Sequence, residues 1–281
     1  MIFETTPPVP FLRFAGWPDN GRSLHHAIFT RQGGVSPAPF ASLNLSVSVP
    51  DEKARVYANR RRAYGLFGRD TDTVVHAHLV HGRDVGRATQ ANNGTWLPEV
   101  DGLITNEPGC ALTMNFADCA PILLYDPVKG AMAIGHAGWQ GAVKDLPGAL
   151  VAAMQREFGS DPAQLLAGVG PCIGPCCYEV GEVVITAVGA AFTDPESLLL
   201  GSGDWRLEIG DSDQPPATGH RPPATRHFER PEDNRRTLQR AGVRQIEMSG
   251  LCTACRTDLF FSHRAERGKT GRFGAIMVLG E

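Results

Sequence analysis

Nowhere in the 281 residues is there an apolar run long enough to cross a bilayer, so a membrane-spanning helix is not expected. Charge of one sign is also scarce. The formal net charge is -3 and no block of like charge is longer than Arg60-Arg61-Arg62, which argues against a strongly electrostatic nucleic-acid or membrane partner. That short basic run reads as the solvated face of a helix. Met1 to Phe14 has no basic stretch followed by an apolar one, so no secretion signal is expected and the location read from the sequence is cytoplasmic. Paired histidines are rare too: of nine histidines, His76-Ala77-His78 is the single His-x-His. Such an inventory disfavours the copper clusters of a multicopper oxidase, which need many paired imidazoles. Internal repeats are absent. Seven cysteines, an odd number in a chain without a signal, argue for reduced thiols, some of them metal ligands, over a disulfide framework.

What is present is an ordinary globular composition, with 42% hydrophobic and 20% charged residues and length for one large domain or two small ones. Leu24 to Thr30 reads as a strand running into a turn at Gly33-Gly34 and Ser36-Pro37. Asp51 is expected to cap a helix that continues through Tyr57 and Tyr64 and stops at Gly65. Thr73 to Val80 is β-rich and ends at His81-Gly82. Ala111 to Phe116, Pro121 to Tyr125 and Ala131 to Gly135 are apolar runs whose shortness suits buried strands. Pro147 fits the first turn of a helix ending near Gly159, with Asp145 at its start. Gly181 to Ala191 and Pro231 to Arg240 have helical character, while Val243 to Met248 and Phe273 to Leu279 read as closing strands. Without a regular βαβ rhythm, these elements predict an α/β (mixed α+β) chain and not a doubly wound sheet. Ser202 to Pro231, rich in Pro, Gly, Asp and Arg, is expected to be an exposed excursion.

Three segments place metal-competent residues at the ends of apolar strands: His81-Gly82, Ala117-Asp118-Cys119 and Gly135-His136-Ala137-Gly138-Trp139. Two imidazoles and a thiolate are a suitable set for zinc and leave a fourth position open, the pattern of a catalytic site. Spacing alone also fits a core cysteine and two hydrogen-bonded histidines. A rival site comprises Cys252-Thr253-Ala254-Cys255 with Cys172, Cys176 and Cys177, but the second group lacks the usual two-residue spacing.

Further motifs extend the pattern. They are Thr30-Arg31-Gln32-Gly33-Gly34-Val35-Ser36, Ser42-Leu43-Asn44-Leu45, Val80-His81-Gly82, Ala117-Asp118-Cys119-Ala120-Pro121 and His136-Ala137-Gly138-Trp139. Gly170-Pro171-Cys172-Ile173-Gly174, Cys176-Cys177-Tyr178-Glu179-Val180, Leu251-Cys252-Thr253, Asp258-Leu259-Phe260-Phe261-Ser262 and Thr270-Gly271-Arg272 follow in order. From about Leu24 to Leu279 the chain thus resembles the laccase-domain, or "multicopper polyphenol oxidase", family. Its members are purine nucleoside phosphorylases with adenosine deaminase and S-methyl-5′-thioadenosine phosphorylase activity. The resemblance implies one layered laccase domain over residues 1–281, with mixed sheets, flanking helices and a loop excursion at about 202–231. It implies zinc held by His81, Cys119 and His136, with copper disfavoured, and makes the other cysteines scaffold residues. It also implies purine nucleosides and phosphate as partners, with Arg31, Asn44, Gln140, Arg264 and Arg272 as candidates for holding them. Asp118 or Glu99 would supply an acid/base carboxylate for deamination, although either would equally serve to cap a turn.

Two positions depart from the family pattern. Leu79 stands where Gln is usual, and Gln140 where Arg usually follows His-Ala-Gly-Trp. Loss of a guanidinium beside the metal removes a bidentate anion partner, which Arg31, Arg264 or Arg272 would have to replace. The leading expectation is therefore a zinc-dependent purine nucleoside phosphorylase. A metal-binding scaffold with little or no turnover is the alternative that Leu79 and Gln140 motivate, and a copper-dependent phenol oxidase is the less favoured third.

Overall fold

The computed structural model describes residues 1–5, 9–17, 24–201 and 226–280. It is a mixed α/β fold. A seven-stranded sheet runs in the order Ile2–Glu4, Phe11–Arg13, Leu24–Phe29, Phe273–Leu279, Ala111–Phe116, Val74–Ala77 and Trp96–Leu97. A six-stranded sheet runs Gln245–Met248, Leu166–Val169, Ala120–Asp126, Ala131–Ala137, Gly102–Thr105 and Val85–Arg87. In both sheets antiparallel pairs give way to parallel ones toward an edge. Glu179–Val180, Arg226–Phe228 and Leu199–Gly201 form a small antiparallel third sheet.

Every residue of Ala120–Asp126, Ala131–Ala137 and Phe273–Leu279 is buried, which is why these strands read as continuous apolar runs and not as alternating ones. Their two faces serve different cores. Leu123, Tyr125, Met132 and Ile134 meet Phe116, Phe273, Ala275 and Met277 in the core between the two large sheets. On the opposite face Ile122, Leu124, Ala131 and Ala133 pack under the helix Leu146–Phe158 and Leu238 of the helix Arg230–Arg240. Ile276 and Val278 face the helix Lys53–Tyr64, whose Ala63 and Tyr64 close a third core. The layers are therefore helix, sheet, sheet, helix.

Local chemistry sets the helix that covers the six-stranded sheet. The Asp145 side chain accepts from Gly148 N, Pro147 sits in the first turn, and Gly159 at φ 66° ends the helix. Its Leu150 seats on bare backbone: a Cβ at Gly102 or Gly135 would lie 2.7 or 2.5 Å from the Leu150 methyls. Full burial of that leucine is worth about 2–3 kcal/mol. Among the described residues no helix is long and apolar enough to cross a membrane.

Several sequence expectations need correction. Asp51 does not cap the helix Lys53–Tyr64; Glu52 precedes it with no side-chain cap. The Asp51 carboxylate is instead drawn to Ser36 Oγ (2.6 Å), Asn44 Nδ2 (2.9 Å) and Glu52 N (2.8 Å), because a loop packed nearby offers better donors. Arg60 is not on a solvated face: it is 1% exposed, with Nε donating to Leu45 O at 2.9 Å. Most of the expected excursion at 202–231 falls outside the described residues. Its last part is not loop, since Arg226–Phe228 is a strand and the following helix begins at Arg230.

Candidate active site

The site forms where the chain crosses from one large sheet to the other. Ala117-Asp118-Cys119 joins Ala111–Phe116 of the first sheet to Ala120–Asp126 of the second, and His136 lies near the end of the adjacent strand. His81 arrives on the turn after Val74–Ala77. His81 (φ 56°) and Asp118 (φ 83°) both hold left-handed backbone, a conformation that costs a non-glycine residue about 1 kcal/mol or more and persists only where surroundings impose it. Asp101 imposes it on the His81 turn. Its fully buried carboxylate accepts the N–H groups of Val80, His81 and Gly82 at 3.0, 3.0 and 2.7 Å.

Asp101 Oδ1 also lies 3.2 Å from His136 Nδ1. That contact directs the other ring nitrogen of His136 away from Asp101. One ligand atom from each of His81, Cys119 and His136 lies within 4.8 Å of the others. Burial opposes ionisation of the Cys119 thiol, but His136, His81 and the Arg230 guanidinium together hold its pKa well below the usual thiol range. Burial likewise opposes the His136 imidazolium, yet Cys119 and Asp101 push its pKa up to about 9. Asp101 is held low: His136 and the N–H groups of Gly82 and Val80 outweigh its burial. A thiolate and two imidazoles, one oriented by a carboxylate, are a donor set that fits zinc, with a dication taking the place of the shared proton. Gly138 keeps the space clear, since a Cβ there would sit 2.9 Å from His81 Cδ2 and 3.3 Å from Cys119 Sγ.

The three residues open onto a cavity of about 650 Å³, large enough for a nucleoside-sized ligand. Gln140, Arg264, Arg272 and Asp118 line it. Arg31 and Asn44 do not. The Arg31 guanidinium is spent on Ala41 O, Thr257 O and Glu266, over the Phe261 ring. Asn44 is fully buried and bonds Ser46, Asp51 and the Arg272 N–H, so it fixes the backbone of cavity residues from behind. Both Asp118 oxygens are engaged, by Thr253 Oγ1 at 2.6 Å and Arg264 N at 2.7 Å. Glu99 is exposed and lies away from the cavity. Leu79 lines the cavity and packs against the core between the large sheets.

Sequence reasoning missed Asp101, Arg230 and the aromatic wall. Arg230 is 2% exposed and sits beside Cys119; it donates to Ala137 O and to Asp118 O at 3.4 Å, and its Nε has no partner. At the far end His76 stacks on Trp96, with centroids 4.4 Å apart, and His78 packs on the same indole. This sole His-x-His is thus tied to an aromatic ring. Burial, then Arg60 and His78, pushes the His76 pKa down to about 3, so its ring is neutral. One signal for Asp101 was available: an acid standing directly before the run Gly102 to Thr105. For Arg230, at the border of the long excursion, there was none.

The cysteine expectation also changes. Cys172 is buried apart, but the sulfur atoms of Cys176, Cys177, Cys252 and Cys255 all lie within 4.8 Å of one another, so they form a second group able to hold a metal. Folding brings together pairs about 75 residues apart, which sequence spacing cannot show. No other such group occurs among the described residues.

The chain matches the family described as "Multi-copper polyphenol oxidoreductase laccase" over residues 25–280. It is 34% identical to the purine nucleoside phosphorylase YlmD of Bacillus subtilis, covering 99% of this chain and 96% of that one. Its fold is similar to the crystal structure of the hypothetical protein YfiH of Bacillus licheniformis, with a TM-score of 0.85 and 32% identity across 99% of this chain and 98% of that one. The crystal structure of YlmD from Geobacillus stearothermophilus superposes with a TM-score of 0.83 at 33% identity, covering 100% and 99% of the two chains.

Proposed function

Because this chain belongs to the multi-copper polyphenol oxidoreductase laccase family, we propose that it is a zinc-dependent purine nucleoside phosphorylase, with residues 1–281 acting as one laccase domain. The observation that carries this reading is the convergence of His81, Cys119 and His136, braced by Asp101, at the wall of a nucleoside-sized cavity. The name of the Bacillus subtilis relative points to the same reaction. His81, Cys119 and His136 would hold the metal, which supplies Lewis-acid charge and an open coordination position.

The chain's own residues account for the rest. In phosphorolysis a phosphate oxygen forms a bond to the anomeric carbon as the bond to the purine breaks, and the base leaves with the electron pair. Phosphate must be held against that carbon, and Arg230, Arg264 and Arg272 bring cationic side chains to the cavity where Gln140 brings none. Trp96, backed by the buried neutral ring of His76, lines the cavity with an aromatic side chain suited to a purine ring. Methylthioadenosine would use the same contacts. Adenosine deamination fits less well, since it calls for a free acid/base carboxylate while Asp118 has both oxygens engaged and Glu99 lies outside the cavity.

The test is base release from inosine, adenosine and methylthioadenosine, with and without phosphate, in the native protein and in Cys119→Ser. Phosphate-dependent release in the native protein, falling to background in the variant as the zinc held by His81, Cys119 and His136 is lost, is the expected result. Full activity and zinc in Cys119→Ser would overturn the metal assignment. A zinc-loaded protein inert on all three substrates would favour the scaffold alternative.

A further inference from the structure

We propose that Cys176, Cys177, Cys252 and Cys255 hold a second, structural zinc ion, separate from the catalytic cluster. The inference rests only on these four sulfurs and does not depend on the function proposed above.

Geometry is the first argument. Zinc–sulfur bonds of about 2.3 Å place the sulfurs of a tetrahedral site about 3.8 Å apart. Here Cys255 Sγ lies 3.4 Å from both Cys176 Sγ and Cys177 Sγ, and all four sulfurs lie within 4.8 Å of one another. All four are free thiols. Small rotations would bring them to the required spacing, and four protein ligands would leave no position for substrate, the pattern of a structural site.

The second argument is how the backbone treats one sulfur. Cys252 Sγ accepts the Gly174 N–H at 3.3 Å, and the N–H groups of Cys255 and Ala254 also point to it. Amides converging on a sulfur stabilise a thiolate, since a neutral thiol is a poor acceptor. Zinc entering as a dication would form four Zn–S bonds as the thiol protons leave to water, with no change in oxidation state. Four soft thiolates in tetrahedral array favour zinc over harder cations.

Position gives such an ion its role. The Gly174 to Tyr178 turn carries Tyr178 into the cavity, and the Leu251 to Arg256 turn carries Thr253, which bonds Asp118 at 2.6 Å. The two segments are linked by the Cys172–Cys252 bridge, by bonds from Cys172 N to Leu251 O and from Thr253 N to Cys172 O, by the Gly174 N–H on Cys252 Sγ, and by the sulfur cluster. A zinc ion would staple one wall of the cavity from outside.

Metal analysis of protein purified without chelator tests this. The native chain should hold about two zinc ions, and Cys255→Ser and Cys176→Ser about one each, with lower melting temperatures. Cys119→Ser should also hold about one, and Cys119→Ser with Cys255→Ser none. If the cysteine variants do not fold, a mercurial thiol reagent added to Cys119→Ser should release its remaining zinc as these four thiols are modified, followed by a zinc-sensitive dye and peptide mass mapping. A single zinc lost in Cys255→Ser but kept in Cys119→Ser would uphold this site and sink the catalytic one. Equal zinc in the native protein and Cys255→Ser would overturn the proposal. So would bound iron, or an intact mass lower by two hydrogens per disulfide among the four.

Discussion

Single residues at the site divide between those that touch the cavity and those that aim others. Asp101 belongs to the second kind, since it holds three consecutive N–H groups and the His136 ring at once. In Asp101→Asn one acceptor oxygen becomes an amide donor facing backbone donors. Zinc affinity is expected to fall roughly ten- to a hundredfold, with a lower melting temperature. Chelator competition measures the first; unchanged affinity would show that the His81 turn holds itself. Gln140 is of the first kind. It stands in the opening turn of the helix Trp139–Val143 and lines the cavity without a charge. A hydrogen bond to an ionised group is worth roughly 1.5–3 kcal/mol, so Gln140→Arg is expected to lower the phosphate KM about ten- to a hundredfold while zinc content stays constant. Strong phosphate dependence in the native protein, left unimproved by the change, would assign the anion to Arg230, Arg264 and Arg272. The sequence singled out the three residues that the structure brings within ligand distance. It did not reveal Asp101 or Arg230, because a buried carboxylate or guanidinium acquires its role from partners that only folding supplies.

Among the elements, legibility followed length and burial. Ala111–Phe116 and Phe273–Leu279 have the boundaries expected from the sequence: the second is an uninterrupted apolar run buried along its whole length, and the first is broken only by Thr113 and Asn115. The helix Leu146–Phe158 was readable from Asp145, Pro147 and Gly159, three residues with strong terminal preferences. The two-residue strands Trp96–Leu97 and Glu179–Val180 and the five-residue helix Trp139–Val143 were not readable, because pieces so short carry no period and owe their form to neighbours. Asp145 permits a sharper test. It caps the helix from a left-handed backbone at φ 66°, so Ala would lose the cap and keep the strain, whereas Gly would lose the cap and relieve it. Asp145→Ala is expected to cost about 1–3 kcal/mol and Asp145→Gly distinctly less. Denaturant melts compare them, and equal losses would mean that the backbone there is not strained.

For the molecule as a whole, buried neutral histidines set a limit in acid. His26 Nε2 accepts the Phe14 N–H at 2.8 Å, with the ring against Trp17, and burial followed by the Arg13 charge pushes its pKa from 6.5 down to about 4. The unfolded ring takes up its proton near 6.5 and the folded one does not. Stability is therefore complete above that pH and falls by about 3 kcal/mol as the pH drops from 6.5 to 4. His26→Gln, which keeps an acceptor that does not titrate, is expected to melt with a shallower dependence over that window. Parallel curves for the two proteins would place the acid sensitivity elsewhere. The order of strands has a different consequence, one of timing. Phe273–Leu279, the last of the described strands, lies inside the seven-stranded sheet, between Leu24–Phe29 and Ala111–Phe116. During synthesis the first strands of that sheet emerge with their central partner still unmade, and their inner edges wait unpaired until Phe273–Leu279 follows. A nascent chain stopped before Phe273 would hold two half-sheets without a seam, open to proteases and to chaperones, and the sheet closes only when Phe273–Leu279 slides between them.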